Sequence, residues 1–242
     1  MPAKPAKAPS APKQLKFSPQ LFDFLSELKA NNNKEWFEAN RSRYLESVRE
    51  PFLAFITAFR PRLQSISPLL IADPKPFGGS MLRIHRDLRF SKSKEPYKPM
   101  AAASFYHQSS KESAPGIYLH LDADYCFLGL GLWHPDTITR TKVTDAIVAK
   151  PEAWRDAISS RAFRASFKSA GKLAGESLKK LPKRYNPQHP FADDLKRKDF
   201  IVVANFTQKQ VCAKDFIERV DGICRTASPF LKFLTQAVGL RW

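Results

Sequence analysis

The fold is decided by residues 117–133, which read I-Y-L-H-L-D-A-D-Y-C-F-L-G-L-G-L-W. Ile117–Leu121 and Tyr125–Trp133 each alternate with a period of two, which places successive side chains on opposite faces of a strand. The intervening Asp122-Ala123-Asp124 favours a turn. The stretch therefore predicts a β-hairpin of two antiparallel strands.

The sheet is predicted to extend beyond this hairpin in both directions along the chain. Residues 81–86 alternate, Met100 to Gln108 is a further candidate strand, and the polar stretch between them contains two prolines that favour a loop. Residues 200–206, F-I-V-V-A-N-F, are rich in β-branched residues and predict a buried strand. Three or four antiparallel strands before residue 135 and one late strand are expected.

Helical patterns flank these strands on both sides. The predicted helices cover 19–30, Lys34 to about Pro61 with a kink or a new first turn at Pro51, Asp136 or Thr137 to Ala149, a segment that starts at Pro151, about 209–225, and 228–239 with Ser228-Pro229 opening it. The sequence therefore predicts an α+β fold, with a central antiparallel sheet and N-terminal and C-terminal helices packed over it.

The first 16 residues differ from the rest in composition. They are an Ala/Pro/Lys segment with too few apolar groups to offset the entropy of ordering it, which predicts a disordered tail. No second linker follows, so residues 17–242 are predicted to form a single α+β domain.

The whole chain is strongly basic, and its composition favours a cytoplasmic protein. It has 40 Lys and Arg against 23 Asp and Glu, a formal charge of +17 that attracts nucleic acid, anionic lipid or phosphorylated metabolites. No apolar run approaches the roughly 20 residues that span a bilayer, so no membrane segment is expected. Three cysteines without C-x-x-C spacing favour free thiols in a reducing compartment.

The densest cluster of reactive side chains, called the basic motif below, is Arg83–Lys98, R-I-H-R-D-L-R-F-S-K-S-K-E-P-Y-K. Arginine carries a planar fork of donors suited to carboxylate or phosphate. The predicted ligand-binding side chains are Arg83, Arg86, Arg89, Lys94, Tyr97 and Lys98. Alternation places Arg86 toward the core, so Asp87 is predicted to be its buried structural partner, and an internal network that locks the loop is an equal alternative.

The basic motif resembles a family of conserved hypothetical proteins, mostly bacterial, that is classed as a domain of unknown function. Its pattern, R-x-x-R-D-x-R-F-x-x-x-K-x-x-Y and usually K, is met here by Arg83, Arg86, Asp87, Arg89, Phe90, Lys94, Tyr97 and Lys98. The resemblance extends from about Phe17 to Leu240 and includes W-F-x-x-N-R from Trp36 and G-x-G-L-W-x-P from Gly129. It implies one domain and a distinctive basic motif, and it supplies no reaction.

The histidines do not have the spacing of a metal site. Four of the five lie between residues 85 and 134, but no H-E-x-x-H or H-x-H occurs, and the positive surroundings repel cations. We therefore expect no metal, and the sequence identifies no cofactor. His120 shares a strand face with Tyr118 and Asp122 by alternation, so His120 and, in the basic motif, Tyr97 are the candidate catalytic side chains.

A second basic stretch follows the hairpin. Its cations are Arg161, Arg164, Lys168, Lys172, Lys179, Lys180, Lys183 and Arg184. A solvated face is the simpler interpretation, and contact with nucleic acid is the alternative, because phosphate contacts need only clustered Lys and Arg.

Three functions fit these patterns. The first is a pocket for a phosphorylated or carboxylated small molecule at the basic motif, in an enzyme or a binding protein, with His120 nearby. The second is a nucleic-acid-associated protein that binds phosphate backbone through both basic stretches. The third is a structural motif in a protein–protein interaction module. A concave pocket would favour the first function, and a continuous basic strip would favour the second. A fully paired network would favour the third.

Overall fold

The structure, a computed structural model, describes residues 16–89, 94–110, 113–167 and 173–242. It has the predicted α+β architecture, with helices from both ends of the chain packed against an antiparallel sheet. The predicted disordered tail, apart from Lys16, lies outside the described residues.

The sheet is a meander in which each strand pairs with the strand that precedes it. Its strands, in both sequence and spatial order, are Leu70–Ile71 (β1), Met100–His107 (β2), Gly116–Asp122 (β3), Cys126–Leu132 (β4) and Phe200–Phe206 (β5). The predicted hairpin is confirmed as β3 and β4, with Leu119 opposite Leu128. The strands predicted at Met100 and at Phe200 are also confirmed.

The predicted strand at residues 81–86 is wrong. Only isolated bridges occur there, from Met81 to Ala103 and from His85 to Tyr97. Met81 and Ile84 are both buried, a spacing of three that a strand cannot place on one face. The segment therefore runs irregularly along the outer edge of β2.

The helices lie before β1, between β4 and β5, and after β5. They are Pro19–Ala30 (α1), Lys34–Ala39 (α2), Arg41–Tyr44 (α3), a π-helical turn at Leu45–Arg49, Glu50–Ile66 (α4), Thr137–Ala149 (α5), Pro151–Ser159 (α6), Arg161–Ser166 (α7), a 3₁₀ turn at Asp194–Lys196, Gln208–Val211 (α8) and Phe216–Ala237 (α9). Of the two predicted starts of α5, Asp136 is the cap, because its carboxylate accepts a hydrogen bond from the Thr139 N–H at 2.6 Å.

The C-terminal part contains one long helix where two were predicted. Pro229 lies inside α9 and does not begin a new helix. A proline in a helix interior removes one backbone hydrogen bond, but the apolar side chains on both sides of it pack into one core. Trp154 of α6, for example, contacts Phe230 and Phe233 with ring centroids 6.0 and 5.0 Å apart. Tertiary packing therefore keeps the helix continuous through Pro229, although Ser228-Pro229 alone predicts the start of a new helix.

The two faces of the sheet have different surroundings. Leu119, Leu128 and Leu130 are fully or almost fully buried in the core that the helices cover. The opposite face, called the free face below, carries Tyr118 and Phe127 and lines an open groove. Because alternate residues point to opposite faces, every second position of β3 and β4 is directed into this groove.

Candidate functional site

The two ends of the basic motif lie side by side. The Arg86 N–H donates to the carbonyl oxygen of Pro96, and the Lys98 N–H donates to that of Ile84, both at 2.8 Å. These bonds close an irregular loop that brings cations from both ends of the motif together.

Tyr97 fixes this loop to the N-terminal helices. Its side chain is only 3% exposed and stacks on Phe37, with ring centroids 4.1 Å apart. The side chain of Asn32 accepts a hydrogen bond from the Tyr97 N–H and donates one to the Tyr97 carbonyl, both at 3.0 Å. Burial, and then the charge of Glu38, raises the pKa of the Tyr97 hydroxyl. These contacts give Tyr97, a catalytic candidate from the sequence, an anchoring role, and Asn32 is a contributor that the sequence analysis missed.

Asp87 binds other arginines than the one predicted. Its carboxylate accepts hydrogen bonds from the Arg89 guanidinium at 2.7 and 3.0 Å and lies 3.7 Å from Arg83. The hydrogen bonds from Arg89 are the main cause that lowers the pKa of Asp87. The predicted buried pair of Arg86 and Asp87 is therefore wrong, because it rested on the alternation of a strand that does not form.

Arg86 is the half-buried arginine of the motif. It donates to Glu95 at 3.3 Å and, more weakly, to the Tyr97 carbonyl at 3.4 Å. Its Nε is buried and has no hydrogen-bond partner among the described residues. An unpaired buried donor is costly, so this guanidinium retains capacity for a further acceptor.

Replacing Asp87 by alanine is expected to leave the protein folded, in contrast to the unfolding that a buried pair would imply. The carboxylate is on the surface, where solvent screens ion pairs and their contribution to stability is small. Urea unfolding of Asp87→Ala should give a midpoint close to that of the wild type. A large fall in the midpoint would show that Asp87 has a buried structural role.

Lys98 is the cation whose surroundings are least favourable to its charge. It is half-buried, and burial, followed by the charges of Arg83 and Arg86, lowers the pKa of its ammonium. No carboxylate among the described residues lies within 4.0 Å of its Nζ. Because the folded-state pKa lies below 10.5, the charged form opposes folding at neutral pH, and this cost is relieved only as the pH rises toward 10.5.

A second group of polar side chains lies on the free face of β3. His120 Nε2 is 3.0 Å from Asp122 Oδ2, and His120 Nδ1 is 3.2 Å from the Tyr118 hydroxyl. The other oxygen of Asp122 accepts the N–H groups of Asp124 and Tyr125, both at 2.7 Å. The predicted common face of Tyr118, His120 and Asp122 is thus confirmed, and they form one hydrogen-bonded chain.

This chain borders a groove of about 850 Å³ on the free face. The imidazole of His120 lies nearly parallel to the rings of Tyr125 and Phe127, with centroids 4.8 and 4.9 Å apart. Burial, followed by nearby Tyr125 and Asp122, raises the pKa of Tyr118 to about 12, so its hydroxyl is protonated at neutral pH. A cavity of this size with a few polar groups at its edge is typical of a small-molecule site.

Residues 20–233 match the model of the family described as "Conserved hypothetical protein (DUF2461)". The chain belongs to this family. The DUF2461 match covers most of the chain and includes both the basic motif and all five strands of the described sheet. No curated protein matches the chain.

The predicted site residues of this DUF2461 chain fall into two places. Arg83, Arg86, Tyr97 and Lys98 come together in the loop, and Arg89 is held by Asp87. Lys94 is exposed, while Phe90 and Lys92 lie outside the described residues. His120 lines the groove, and none of the described groove-lining residues belongs to the basic motif.

His107, His134 and Cys126 have structural surroundings. His107 bonds the Arg241 carbonyl at 2.9 Å, and His134 lies 3.3 Å from Asp199. In the described part of the chain, no three His, Cys, Asp or Glu side chains are arranged to hold a metal ion. Burial raises the pKa of Cys126 to about 11, which disfavours the reactive thiolate.

The second basic stretch is divided between a short helix and irregular chain. Arg161 and Arg164 lie in α7, and Arg164 donates to the Ser159 carbonyl at 2.7 Å. Lys179, Lys180 and Lys183 are exposed, and Arg184 pairs with Asp145. Lys168 and Lys172 lie outside the described residues.

Among the helices that the structure describes, none has the length and apolar character needed to cross a membrane.

Proposed function

We propose that the protein binds the phosphate or carboxylate group of a small molecule at the anion site, defined as Arg83, Arg86 and Lys98. Described residues 83–89 and 94–98 carry five cations against two carboxylates. An anion bound among these cations would offset their mutual repulsion. Two carboxylates are too few to neutralise five cations by internal pairs.

The observation that carries the proposal is geometric: Lys98 is half-buried, and no carboxylate of the described residues lies within 4.0 Å of its Nζ. A half-buried ammonium beside two guanidiniums is unfavourable in the free protein, and its lowered pKa expresses that cost. Charged groups with perturbed pKa values are enriched at binding and catalytic sites. The Nε of Arg86, which has no acceptor in the described part of the chain, adds a donor of the kind that anions accept.

The structural alternative accounts for only part of the motif. Asp87 pairs with Arg89 and lies near Arg83, and Glu95 pairs with Arg86, as an internal network requires. Such a network has no role for Lys98, since no described carboxylate reaches it. The pairs that do form would instead hold the loop in shape around the anion.

The anion site predicts a specific thermal shift with inorganic phosphate. At ten times the dissociation constant, phosphate should stabilise the wild type by about 1.4 kcal/mol, or roughly 3–5 °C in the unfolding midpoint. Lys98→Met keeps the apolar stem and removes the charge. It should fold with equal or greater stability in chloride buffer and lose most of the phosphate effect.

Lys232→Met is the matched control for this measurement. Lys232 is an exposed lysine of α9, so its replacement removes the same charge at a distance from the motif. Phosphate also stabilises proteins by exclusion from their surface, and that effect should be equal in all variants at one ionic strength. A phosphate shift of the same size in Lys98→Met and Lys232→Met would refute the anion site.

Nucleic acid is the alternative ligand, and the salt dependence of binding distinguishes it from a small anion. Binding to a phosphate backbone weakens steeply with salt and ignores sequence. Duplex or single strands that bind equally well to wild type and Lys98→Met, with no effect of phosphate, would assign the basic surface to nucleic acid.

A further inference from the structure

The free face of β4 presents aromatic side chains at both ends and glycines between them. Tyr125 and Phe127 precede the two glycines, Gly129 and Gly131, and Trp133 follows them, all in the same alternation phase and all lining the groove. Tyr125 and Trp133 are 56% and 63% exposed. At the rise of a strand, Phe127 and Trp133 are about 20 Å apart along the chain, and the two glycines leave the slot between them without side chains of their own.

The backbone requires only one of these two glycines. Gly131 has φ +126, and a Cβ there would lie 2.0 Å from the Phe200 carbonyl oxygen of β5. Gly129 has no positive φ, and a Cβ there would meet ordinary contacts at 3.6 Å and beyond. A glycine inside a strand costs stability and often marks the close approach of a ligand. The nearest of these contacts is the ring of Phe127, so the fold admits a Cβ at Gly129 and does not require glycine there.

We propose that the groove binds an uncharged planar ring, seated over Gly129 and hydrogen-bonded to the oxygen of Tyr118. This ring site is separate from the proposed anion site and does not depend on it. The register places Tyr118 on one side of Gly129 and Val203 on the other. A flat ring over Gly129 would thus lie beside an aromatic side chain and a β-branched one.

The hydrogen-bonded chain on β3 fixes what Tyr118 offers to a ligand. Asp122 accepts at both oxygens, so the proton between Asp122 and His120 is on His120 Nε2. The Tyr118 hydroxyl lies 3.2 Å from His120 Nδ1 and 3.7 Å from Met100 Sδ, so its proton is directed to one of these two acceptors. The lone pairs of the Tyr118 oxygen remain, and the ligand must bring an N–H or O–H donor.

The charge of the lining favours a neutral ring over a nucleic acid strand. None of the described residues that line the groove is a lysine or an arginine. A strand of nucleic acid needs cations along its phosphates as well as aromatic rings for its bases. The groove offers stacking surfaces and a hydrogen-bond acceptor without those cations.

Indole is the first probe, because it is planar and uncharged and carries one N–H donor. Nitrogen-15 NMR titration of the full chain should give a dissociation constant of about 10 mM or tighter, the weak limit for a ligand of nine heavy atoms. Cyclohexanol, which is not planar, should bind at least several-fold more weakly. Gly129→Val should fold with wild-type or greater stability and lose indole binding by about tenfold or more, because its side chain occupies the slot.

Gly222→Val is the control for the glycine replacement. Gly222 lies in α9 and does not line the groove, and a Cβ there meets nothing within 4 Å. It should bind indole like the wild type. Indole binding that survives in Gly129→Val, or that is lost equally in both valine variants, would overturn the proposal.

A second measurement tests the hydrogen bond without filling the slot. The wild type should prefer indole to 1-methylindole by about three- to tenfold, the usual net value of one hydrogen bond. Tyr118→Phe should remove that preference while keeping the ring affinity of 1-methylindole. An unchanged preference in Tyr118→Phe would contradict the assigned acceptor. A single-stranded oligonucleotide that binds this face when indole does not would contradict the ring site as a whole.

Discussion

Gly131→Ala is expected to lower the free energy of unfolding by about 3–5 kcal/mol, which belongs to the largest effects of a single substitution. The backbone at Gly131, with φ +126, lies in a region that only glycine adopts without strain of about 1–3 kcal/mol. The added methyl group would also lie 2.0 Å from the Phe200 carbonyl oxygen. Because Gly131 is paired with Ile201, relief of this clash requires β4 and β5 to move apart.

Gly129→Ala is the internal control, two residues earlier on the same face. Its backbone is ordinary and its surroundings admit a Cβ, so alanine should be neutral or stabilise by about 0.5–1 kcal/mol. Urea unfolding of both variants gives the comparison directly. Equal losses in the two variants would mean that Gly129 is also fixed by the fold, and would remove the main argument for a ligand above it.

The two glycines show what could and could not be predicted from the sequence at this site. A glycine inside a strand pattern predicts a bulge or a close backbone approach, and G-L-G gives the same signal at both positions. The distinction depends on the neighbouring strand, since the carbonyl that excludes a side chain at Gly131 belongs to Phe200. That strand begins about 70 residues later in the chain, and pairings of this range are absent from local patterns.

The strands with continuous periodicity were predictable, whereas the edge of the sheet was not. The β3–β4 hairpin and β5 carry enough alternation or β-branched character to specify themselves. Residues 81–86 alternate as well, but their hydrogen bonds go partly to β2 and partly back to the loop. Because the strand was predicted wrongly, Asp87 was also predicted wrongly as the ion-pair partner of Arg86. An error in secondary structure thus led to an error in the predicted ion pairs.

The cations of the basic motif were identifiable from composition, but their pairing was not. An arginine reaches several acceptors, so Asp87 could have bound Arg83, Arg86 or Arg89 on spacing alone. The three-dimensional loop selects Arg89 and leaves Lys98 without a described carboxylate. The chain of Tyr118, His120 and Asp122, in contrast, followed from alternation alone, because all three lie on one regular strand.

Asp199→Ala is expected to lower the free energy of unfolding by about 3–5 kcal/mol and the unfolding midpoint by roughly 10 °C. The Asp199 carboxylate is fully buried and accepts the N–H of His134 at one oxygen and that of Glu176 at the other, both at 2.8 Å. Removal of the side chain breaks two hydrogen bonds to a buried charged acceptor, each of which contributes about 1.5–3 kcal/mol. It also frees the segments that carry Trp133 and Gly175, which form walls of the groove on the free face.

Asp199→Asn and Asp156→Ala distinguish this role from a general effect of charge. Asparagine keeps one acceptor oxygen and presents an amide N–H₂ to the other donor, so it should lose a large part of the stability although the shape is retained. Asp156 is an exposed residue of α6, and its replacement by alanine should change the free energy by at most about 0.5 kcal/mol.

Indole titration of folded Asp199→Asn tests the groove as well as the stability. Because Asp199 holds both walls of the groove, indole should bind more weakly to this variant than to the wild type, whereas the shift of the unfolding midpoint by phosphate should be unchanged. An Asp199→Ala protein that melts with the wild type would show that the two loops hold their positions without this carboxylate.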